Sequence, residues 1–172
     1  MNRTYTREWY EDRVRAIRRI LPTCAISSDI ITGFCTETEE EHQDTLSLIE
    51  MARYSMSYMF FYSERPGTLA ARKYEDDVPL VTKKRRLSEV IELQRRISLE
   101  DNGADVGKTF EVLIEADAKR SREQFYGRNS QNKKVVWTKT GQERIGDYVH
   151  VRITSCTSAT LLGECLGVST PR

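Results

Sequence analysis

One stretch of the sequence, residues 58–68, constrains the fold more than any other. It opens with an uncharged aromatic run, Tyr58-Met59-Phe60-Phe61-Tyr62, which predicts a strand covered on both faces. Arg65-Pro66-Gly67-Thr68 then ends the strand, because Pro fixes φ and Gly adopts conformations that other residues avoid. In sheets flanked by helices, ligands gather where strands end. Residues 62–68 are therefore either the edge of a site or a plain loop that leads into a helix.

Helices and a further strand precede this stretch. Thr6 can cap a helix that ends near Leu21, Ala25–Phe34 has the composition of a strand, and Thr38 with Glu41 forms a capping box for a second helix. Alternating α and β elements favour parallel strands with helical crossovers. Two strands can neither close a barrel nor bury both faces of a sheet. We therefore predict that this half is the end of a larger domain, with an open edge and an uncovered apolar face.

The second half of the chain changes its hydrophobic period. A helix is predicted from Thr82 to Asp101, with a solvated or RNA-binding run Lys83–Arg86 at its start, and Asn102-Gly103 ends it. From Val106 apolar residues alternate with polar ones, which predicts a small closed or part-closed β-barrel of the OB type. The expected domains are residues 1–80, a linking helix over 81–105, the barrel over 106–168 and a tail over 169–172.

The barrel region holds the strongest binding signal. From Val106 onward there are eleven Lys and Arg against seven Asp and Glu, a balance of +4. Single-stranded or looped RNA is held by cations on phosphates, aromatic faces under bases and amides on base edges. Such residues cluster here, and the candidates for RNA binding are Lys119, Arg120, Arg122, Gln124, Tyr126, Arg128, Asn132 and Lys133. The alternative is a soluble hairpin with charged tips.

Several classes of protein do not fit the composition. Charged residues make up 31% and hydrophobic residues 38%, no apolar run approaches the ~20 residues of a membrane span, and the N-terminal residues lack an apolar signal core. A cytoplasmic protein without a membrane partner is expected. The four cysteines form no CxxC pair, so we expect reduced thiols and no metal ligands. His42 is expected on the surface. No catalytic residue is predicted, since the chain has no Ser/His/Asp set and no phosphate loop.

Two segments carry a resemblance to a known family. Residues 62–68 (Tyr-Ser-Glu-Arg-Pro-Gly-Thr) resemble the Tyr-Ser-x-Arg-x-Gly-Thr motif of the radical-SAM methylthiotransferases. Residues 28–38 resemble their Asp-Ile-Ile-x-Gly-Phe-Pro-Gly-Glu-Thr segment, but Cys35 and Thr36 stand where Pro and Gly are common. The rest of the chain resembles the C-terminal part of the tRNA-modifying members, including a TRAM domain, an OB-like RNA-binding barrel.

The resemblance implies a fold and a parent enzyme. The fold would be α/β plus all-β: the C-terminal units of a partial (βα) radical-SAM barrel, followed by the TRAM barrel. The parent would be a transferase that adds a methylthio group to isopentenyl-adenosine next to the tRNA anticodon, with S-adenosylmethionine and two 4Fe-4S clusters as cofactors. The cluster-binding cysteines of the family lie upstream, in methylthiotransferase and barrel domains that this chain lacks. We therefore expect this fragment to bind no cofactor and to be inactive alone.

The resemblance also assigns residues. Those that would lie along the S-adenosylmethionine site are Asp29, Ile31, Gly33, Glu37, Tyr62, Ser63 and Arg65. The segment 119–128 would bind the anticodon stem-loop of tRNA. Two alternatives stay open, a fragment of the methylthiotransferase that modifies a ribosomal protein and a free-standing TRAM-type RNA-binding module.

Overall fold

The computed structural model describes residues 4–119 and 121–169. The chain divides into two compact units, Met1–Ile97 and Ser98–Arg172. The helices are α1 (Arg7–Ile20), α2 (Glu39–Ala52), α3 (Leu69–Lys73) and α4 (Leu80–Gly103). The strands are β1 (Ser27–Thr32), β2 (Met56–Phe61), β3 (Thr109–Ala118), β4 (Ser121–Asn129), β5 (Lys134–Thr138), β6 (Tyr148–Cys156) and β7 (Leu161–Val168). None of the helices in the described part combines the length and apolar character that crossing a membrane requires.

The first unit is built on a sheet of two parallel strands. β1 pairs with β2, so that Ile31 lies beside Phe60 and Asp29 beside Tyr58. The two predicted caps are confirmed: Thr6 Oγ1 accepts a hydrogen bond from the backbone of Trp9, and Thr38 and Glu41 form a reciprocal capping box. These side chains satisfy backbone N–H groups that have no partner inside a helix, and so they fix where α1 and α2 begin.

One face of this sheet is covered and the other is open. The core beneath the sheet includes Val14 of α1, Ile30 of β1, Ile49 of α2 and Val90 of α4. On the opposite face, Tyr58 is 57% exposed and Phe60 is 56% exposed. The prediction that residues 58–62 form a strand covered on both faces is therefore wrong. The reason is that the helices pack on only one face of the sheet. The opposite face is the uncovered apolar face that was predicted.

Three other predictions for the first unit are wrong for a common reason. His42, expected on the surface, is 0% exposed, and its Nε2 lies 2.7 Å from Oε2 of Glu89. Lys83 and Arg86, expected in a solvated or RNA-binding run, are both buried. Arg86 pairs with Glu37 and Lys83 pairs with Asp76, and a paired polar group can be buried at an acceptable cost.

The second unit is a closed barrel of five strands in the order β3-β4-β5-β7-β6. Its core consists of the inward side chains of all five strands, with Trp137 among the largest that are fully buried. Gly127 lets β3 approach β4 closely, because a Cβ there would lie 1.9 Å from the carbonyl oxygen of Leu113. The predicted small barrel is confirmed. All four cysteines of the chain are free.

Candidate functional site: a barrel surface and a strand-end turn

Four of the eight RNA-binding candidates lie on β4. Along this strand Gln124, Tyr126 and Arg128 are exposed or half-buried and alternate with the buried Phe125, Gly127 and Asn129. Side chains of a strand alternate between its two faces, so these three share one surface. Arg122 and its neighbour Glu123 are both exposed at the start of the strand, where the pairing with β3 is irregular. Cationic, amide and aromatic groups thus lie in one row, which is the set that binds looped or single-stranded RNA.

Neighbouring strands extend this surface. The Nζ atom of Lys134 on β5 lies 4.7 Å from the ring centroid of Tyr126. Arg128 Nε lies 3.2 Å from Oε1 of Glu115 on β3. Even so, 45% of the Arg128 side chain is exposed. The ammonium lies over one face of the Tyr126 ring, where it can attract phosphate, and a base that stacks on this ring has to use the other face or displace the ammonium.

The turn between β4 and β5 carries two further candidates. Asn132 is exposed and has φ +60, a conformation that Asn tolerates better than most residues. Its backbone carbonyl and its Oδ1 atom each accept a hydrogen bond of 3.2 Å from Nη1 of Arg128.

Two further candidates follow β3 in the sequence. Lys119 is exposed directly after this strand. Arg120 lies outside the described residues.

Lys133, the last candidate, does not face solvent. Its side chain is 10% exposed, and its Nζ atom lies 2.6 Å from Oδ2 of Asp105 and 2.9 Å from Oδ2 of Asp101. An ammonium group held by two carboxylates is already neutralised, so it is not available to a phosphate. The sequence could not reveal this pairing, because both partners lie far from Lys133 along the chain.

The candidates in the first unit surround the turn after β1. Gly33 has φ +68, and its N–H donates a 2.7 Å hydrogen bond to Oε2 of Glu37. The same Glu37 oxygen accepts a 2.8 Å bond from Nη1 of Arg86 on α4. A Cβ at Gly33 would lie 2.4 Å from Cγ of Lys83. The turn is therefore held closely against two cationic side chains of α4.

The other candidates of the first unit are spread around the strand ends. Asp29 and Ile31 lie on the open face of the sheet, and Ser63 and Arg65 are exposed in the loop after β2. The Tyr62 ring packs edge-on against Phe34 at 4.9 Å. Its hydroxyl is buried beside the thiol of Cys35, and desolvation together with that thiol raises the pKa of this phenol.

Sequence reasoning missed several residues at this site. Lys83 Nζ donates to the carbonyl of Tyr62 at 3.3 Å and lies 2.5 Å from Asp76 Oδ1, and the Thr36 N–H donates to Asp77 Oδ1 at 2.7 Å. These residues line or adjoin a cavity of ≈ 540 Å³ after β2. One signal could have found the cations: Lys83 and Arg86 are three residues apart, so they share a helix face, unlike their neighbours Lys84 and Arg85.

Comparison of the sequence with known protein families identifies the class of the second unit. Residues 103–166 match the TRAM domain family, and this match extends from the end of α4 into β7, the last strand of the barrel. The chain therefore contains a TRAM domain.

The whole chain then matches one kind of enzyme. It is 60% identical over 164 residues to the tRNA-2-methylthio-N(6)-dimethylallyladenosine synthase of Phocaeicola vulgatus, which covers 95% of this chain and 36% of that protein. The synthase of the same name from Amoebophilus asiaticus is 59% identical, over 95% of this chain and 34% of the relative. The one from Porphyromonas gingivalis is 58% identical, over 99% and 36%. The chain spans about a third of the length of these curated relatives. The predicted resemblance to the C-terminal part of the tRNA methylthiotransferases is confirmed.

Proposed function

We propose that this chain supplies the tRNA-binding part of a methylthiotransferase that modifies isopentenyl-adenosine next to the anticodon. The observation that carries the proposal is the row of Gln124, Tyr126 and Arg128 on the outer face of a TRAM barrel, with Arg122 exposed at the start of the same strand. The relatives named as tRNA-modifying synthases supply the substrate class. The proposed partner is the anticodon stem-loop, and the proposed place of action is the cytoplasm, where tRNA is modified.

The surface fits a stem-loop better than a regular duplex. Arg122 at the start of β4 and Arg128 near its end can contact phosphates, while the Tyr126 ring between them offers a face to an unstacked base. The Gln124 amide can donate to and accept from a base edge. A loop presents unstacked bases beside its phosphates, whereas an A-form helix hides base edges in a deep groove. The alternation of polar types along β4 therefore favours the loop.

The first unit is proposed to form the C-terminal part of a (βα) radical-SAM barrel. Its parallel strands, helical crossovers and open apolar sheet face are consistent with a sheet that continues in the parent. Residues 1–80 would be barrel, 81–105 the linking helix, 106–168 the TRAM domain and 169–172 a tail.

S-adenosylmethionine fits the strand ends of this unit. The hydroxyl of Tyr62 can donate to the cofactor, and Asp29 and Ile31 line the open sheet face. Gly33 packs against Lys83 and would shape the turn rather than contact the cofactor. Ser63, Arg65 and Glu37 would complete the wall, with Glu37 fixing the turn. In the parent, the cofactor would supply the radical chemistry that modifies the adenine ring. The residues of this chain would orient the cofactor and shield it from water.

Iron–sulfur clusters do not fit the residues of this chain. The one group of three closely placed ligand residues in the described part is Glu39, His42 and Glu89, and it contains no cysteine. Thiolates are the usual ligands of 4Fe-4S clusters. The proposed cluster ligands are therefore residues outside this chain, and the chain by itself is expected to be inactive.

The proposal is tested by binding to an anticodon stem-loop RNA across a salt series. We expect the double change Arg122→Ala and Arg128→Ala to weaken binding and to flatten the dependence of log K on log salt by about two units, one for each lost phosphate contact. The matched control is Arg152→Ala, an exposed arginine on β6 that pairs with Glu164. If the wild-type chain does not bind, the β4 surface is not the RNA site. The same conclusion follows if the control Arg152→Ala weakens binding as much as the double change on β4. A ribosomal-protein substrate then becomes the better interpretation.

A further inference from the structure

The turn between β4 and β5 is tied to the residues that join α4 to β3. Lys133 Nζ lies 2.6 Å from Oδ2 of Asp105 and 2.9 Å from Oδ2 of Asp101, and it also donates to the Asp101 carbonyl at 3.4 Å. The Asp105 side chain is 5% exposed. Charged groups at such low exposure keep their charge only when they are paired, and here one ammonium serves two carboxylates.

Asp105 is itself held in place. Its Oδ1 atom lies 2.9 Å from Nζ of Lys108, and its backbone N–H donates to the carbonyl of Asn102 at 3.1 Å. The Asn102 side chain in turn donates to the carbonyl of Thr157 after β6. Lys133 is thus attached to a fixed point of the barrel rather than to a mobile surface carboxylate.

The other side of the turn leads to the proposed RNA surface. Asn129 Oδ1 accepts hydrogen bonds from the N–H groups of Gln131 and Lys133, which closes the turn. Within it, the carbonyl and Oδ1 of Asn132 hold the Arg128 guanidinium at 3.2 Å. Asn132 is the direct neighbour of Lys133, so the position of one sets the position of the other.

We propose that Lys133 is a positioning residue of the RNA surface and not a phosphate ligand. Through Asp105 and Asp101 it fixes the turn, and the turn then orients Arg128 through Asn132. This inference rests on the proposed RNA-binding function. Residue type and spacing suggest that Lys133 contacts phosphate directly. In this inference Lys133 instead contributes to binding only by positioning Arg128.

The test compares Asp105→Asn with Lys133→Met and uses anticodon stem-loop RNA as the probe. If Lys133 positions Arg128, removing the acid Asp105 weakens RNA binding roughly tenfold, which is the size of one lost charged hydrogen bond. If Lys133 were a phosphate ligand, the same change would leave its ammonium group paired with Asp101 alone, and the reduced neutralisation would bring tighter binding. The two roles therefore predict opposite signs. Lys108→Met is the matched control, since Lys108 also pairs with Asp105 but is well exposed.

A double-mutant cycle separates the two roles again. We expect Lys133→Met to add no further loss of affinity or of salt slope in a chain that already carries Arg128→Ala, because the two residues act as one unit. Additive losses, or Asp105→Asn binding as tightly as wild type, would overturn the inference. Each variant is first checked for folding by its thermal transition. If Lys133→Met does not fold, Asp105→Asn still tests the inference, because it keeps the shape of the side chain.

A readout without RNA keeps this inference distinct from the proposed function. In the free chain, the Arg128 Nη1–H signal should exchange faster with water in Lys133→Met than in Lys108→Met, since Nη1 donates to Asn132 in the turn whereas Nε faces Glu115 on β3. Wild type that fails to bind RNA while this difference is present would reject the proposed function alone. An Arg128 signal that is unchanged in Lys133→Met would reject the positioning role.

Discussion

Arg86 and Glu37 form a buried ion pair that fixes the turn after β1. Nη1 of Arg86 lies 2.8 Å from Oε2 of Glu37 and 3.0 Å from its carbonyl oxygen, and the Arg86 side chain is 5% exposed. The same carboxylate oxygen accepts the N–H of Gly33 at 2.7 Å. A residue of α4 thus determines the shape of a turn that lies about 50 residues earlier in the chain.

The first prediction concerns this pair. Replacing Arg86 by Met should destabilise the first unit by about 3–5 kcal/mol, because it leaves the low-exposure Glu37 carboxylate without its cation. The matched change Lys84→Met, two residues earlier on the same helix but exposed, should have little effect, since an exposed charge contributes little. Chemical denaturation followed by far-UV circular dichroism measures both, because α1, α2 and α3 all lie in the first unit. Equal losses in the two variants would contradict the assigned role of Arg86.

The second prediction separates stacking from charge on β4. Tyr126→Ala should weaken binding of the anticodon stem-loop by about 1–3 kcal/mol, the contribution of one base stacked on an aromatic ring, without changing the salt slope. Tyr148→Ala is the control, since Tyr148 is also exposed but lies on β6. Titrations of each variant with the stem-loop RNA at two salt concentrations give both the affinity and its salt slope. A change in slope would mean that Tyr126 acts by holding Lys134, whose ammonium lies beside its ring.

The local features of this fold could be predicted from sequence, because their causes are local. A capping box needs only Thr38 and the residue three positions later, and both caps are confirmed. The barrel was recognisable from alternating apolar residues on β3 and β6. The apolar alternation is weaker on β4, because Gly127 and Asn129 occupy inward positions there.

The errors arise where a distant partner decides burial. His42 resembles a surface residue among acids, but its partner Glu89 lies 47 positions later on α4. Lys133 resembles a phosphate ligand, but Asp105 and Asp101 neutralise it. Hydrogen bonding and pairing determine whether a polar side chain can be buried, and a single sequence does not state which residues meet.

The third prediction is that the first unit loses stability in acid. A hydrogen bond from Arg85 lowers the pKa of Glu39 to about 2. Burial acts to raise the pKa of Glu89, but hydrogen bonds from His42 and Arg85 outweigh it and leave this pKa lowered. A carboxyl with a lowered pKa stabilises the folded state above its ordinary value of 4.5. This contribution disappears as the pH falls from there towards about 2.

Denaturation midpoints measured from about pH 7 to pH 2.5 check this. We expect the wild-type midpoint to fall steeply below about pH 4.5, and the change Glu89→Gln to flatten that fall because it removes one of the titrating groups. Glu92→Gln, an exposed acid one turn along the same helix, is the control. A Glu89→Gln curve parallel to wild type over the whole range would show that this carboxyl does not contribute to the acid dependence.

The last prediction compares two glycines of the second unit. Gly127→Ala should destabilise the barrel by at least about 1–3 kcal/mol, because its Cβ would lie 1.9 Å from a backbone carbonyl that cannot turn aside. Gly103→Ala, at the end of α4 with nothing within 4 Å of the added carbon, should leave stability unchanged or raise it by up to about 1 kcal/mol, because Ala favours a helix over Gly. Fluorescence of the buried Trp137 reports unfolding of the barrel in both variants. If Gly127→Ala is as stable as Gly103→Ala, then β3 and β4 can separate without cost. The row of side chains on β4 would then not be rigidly held, and its fixed spacing could not be the basis of RNA recognition.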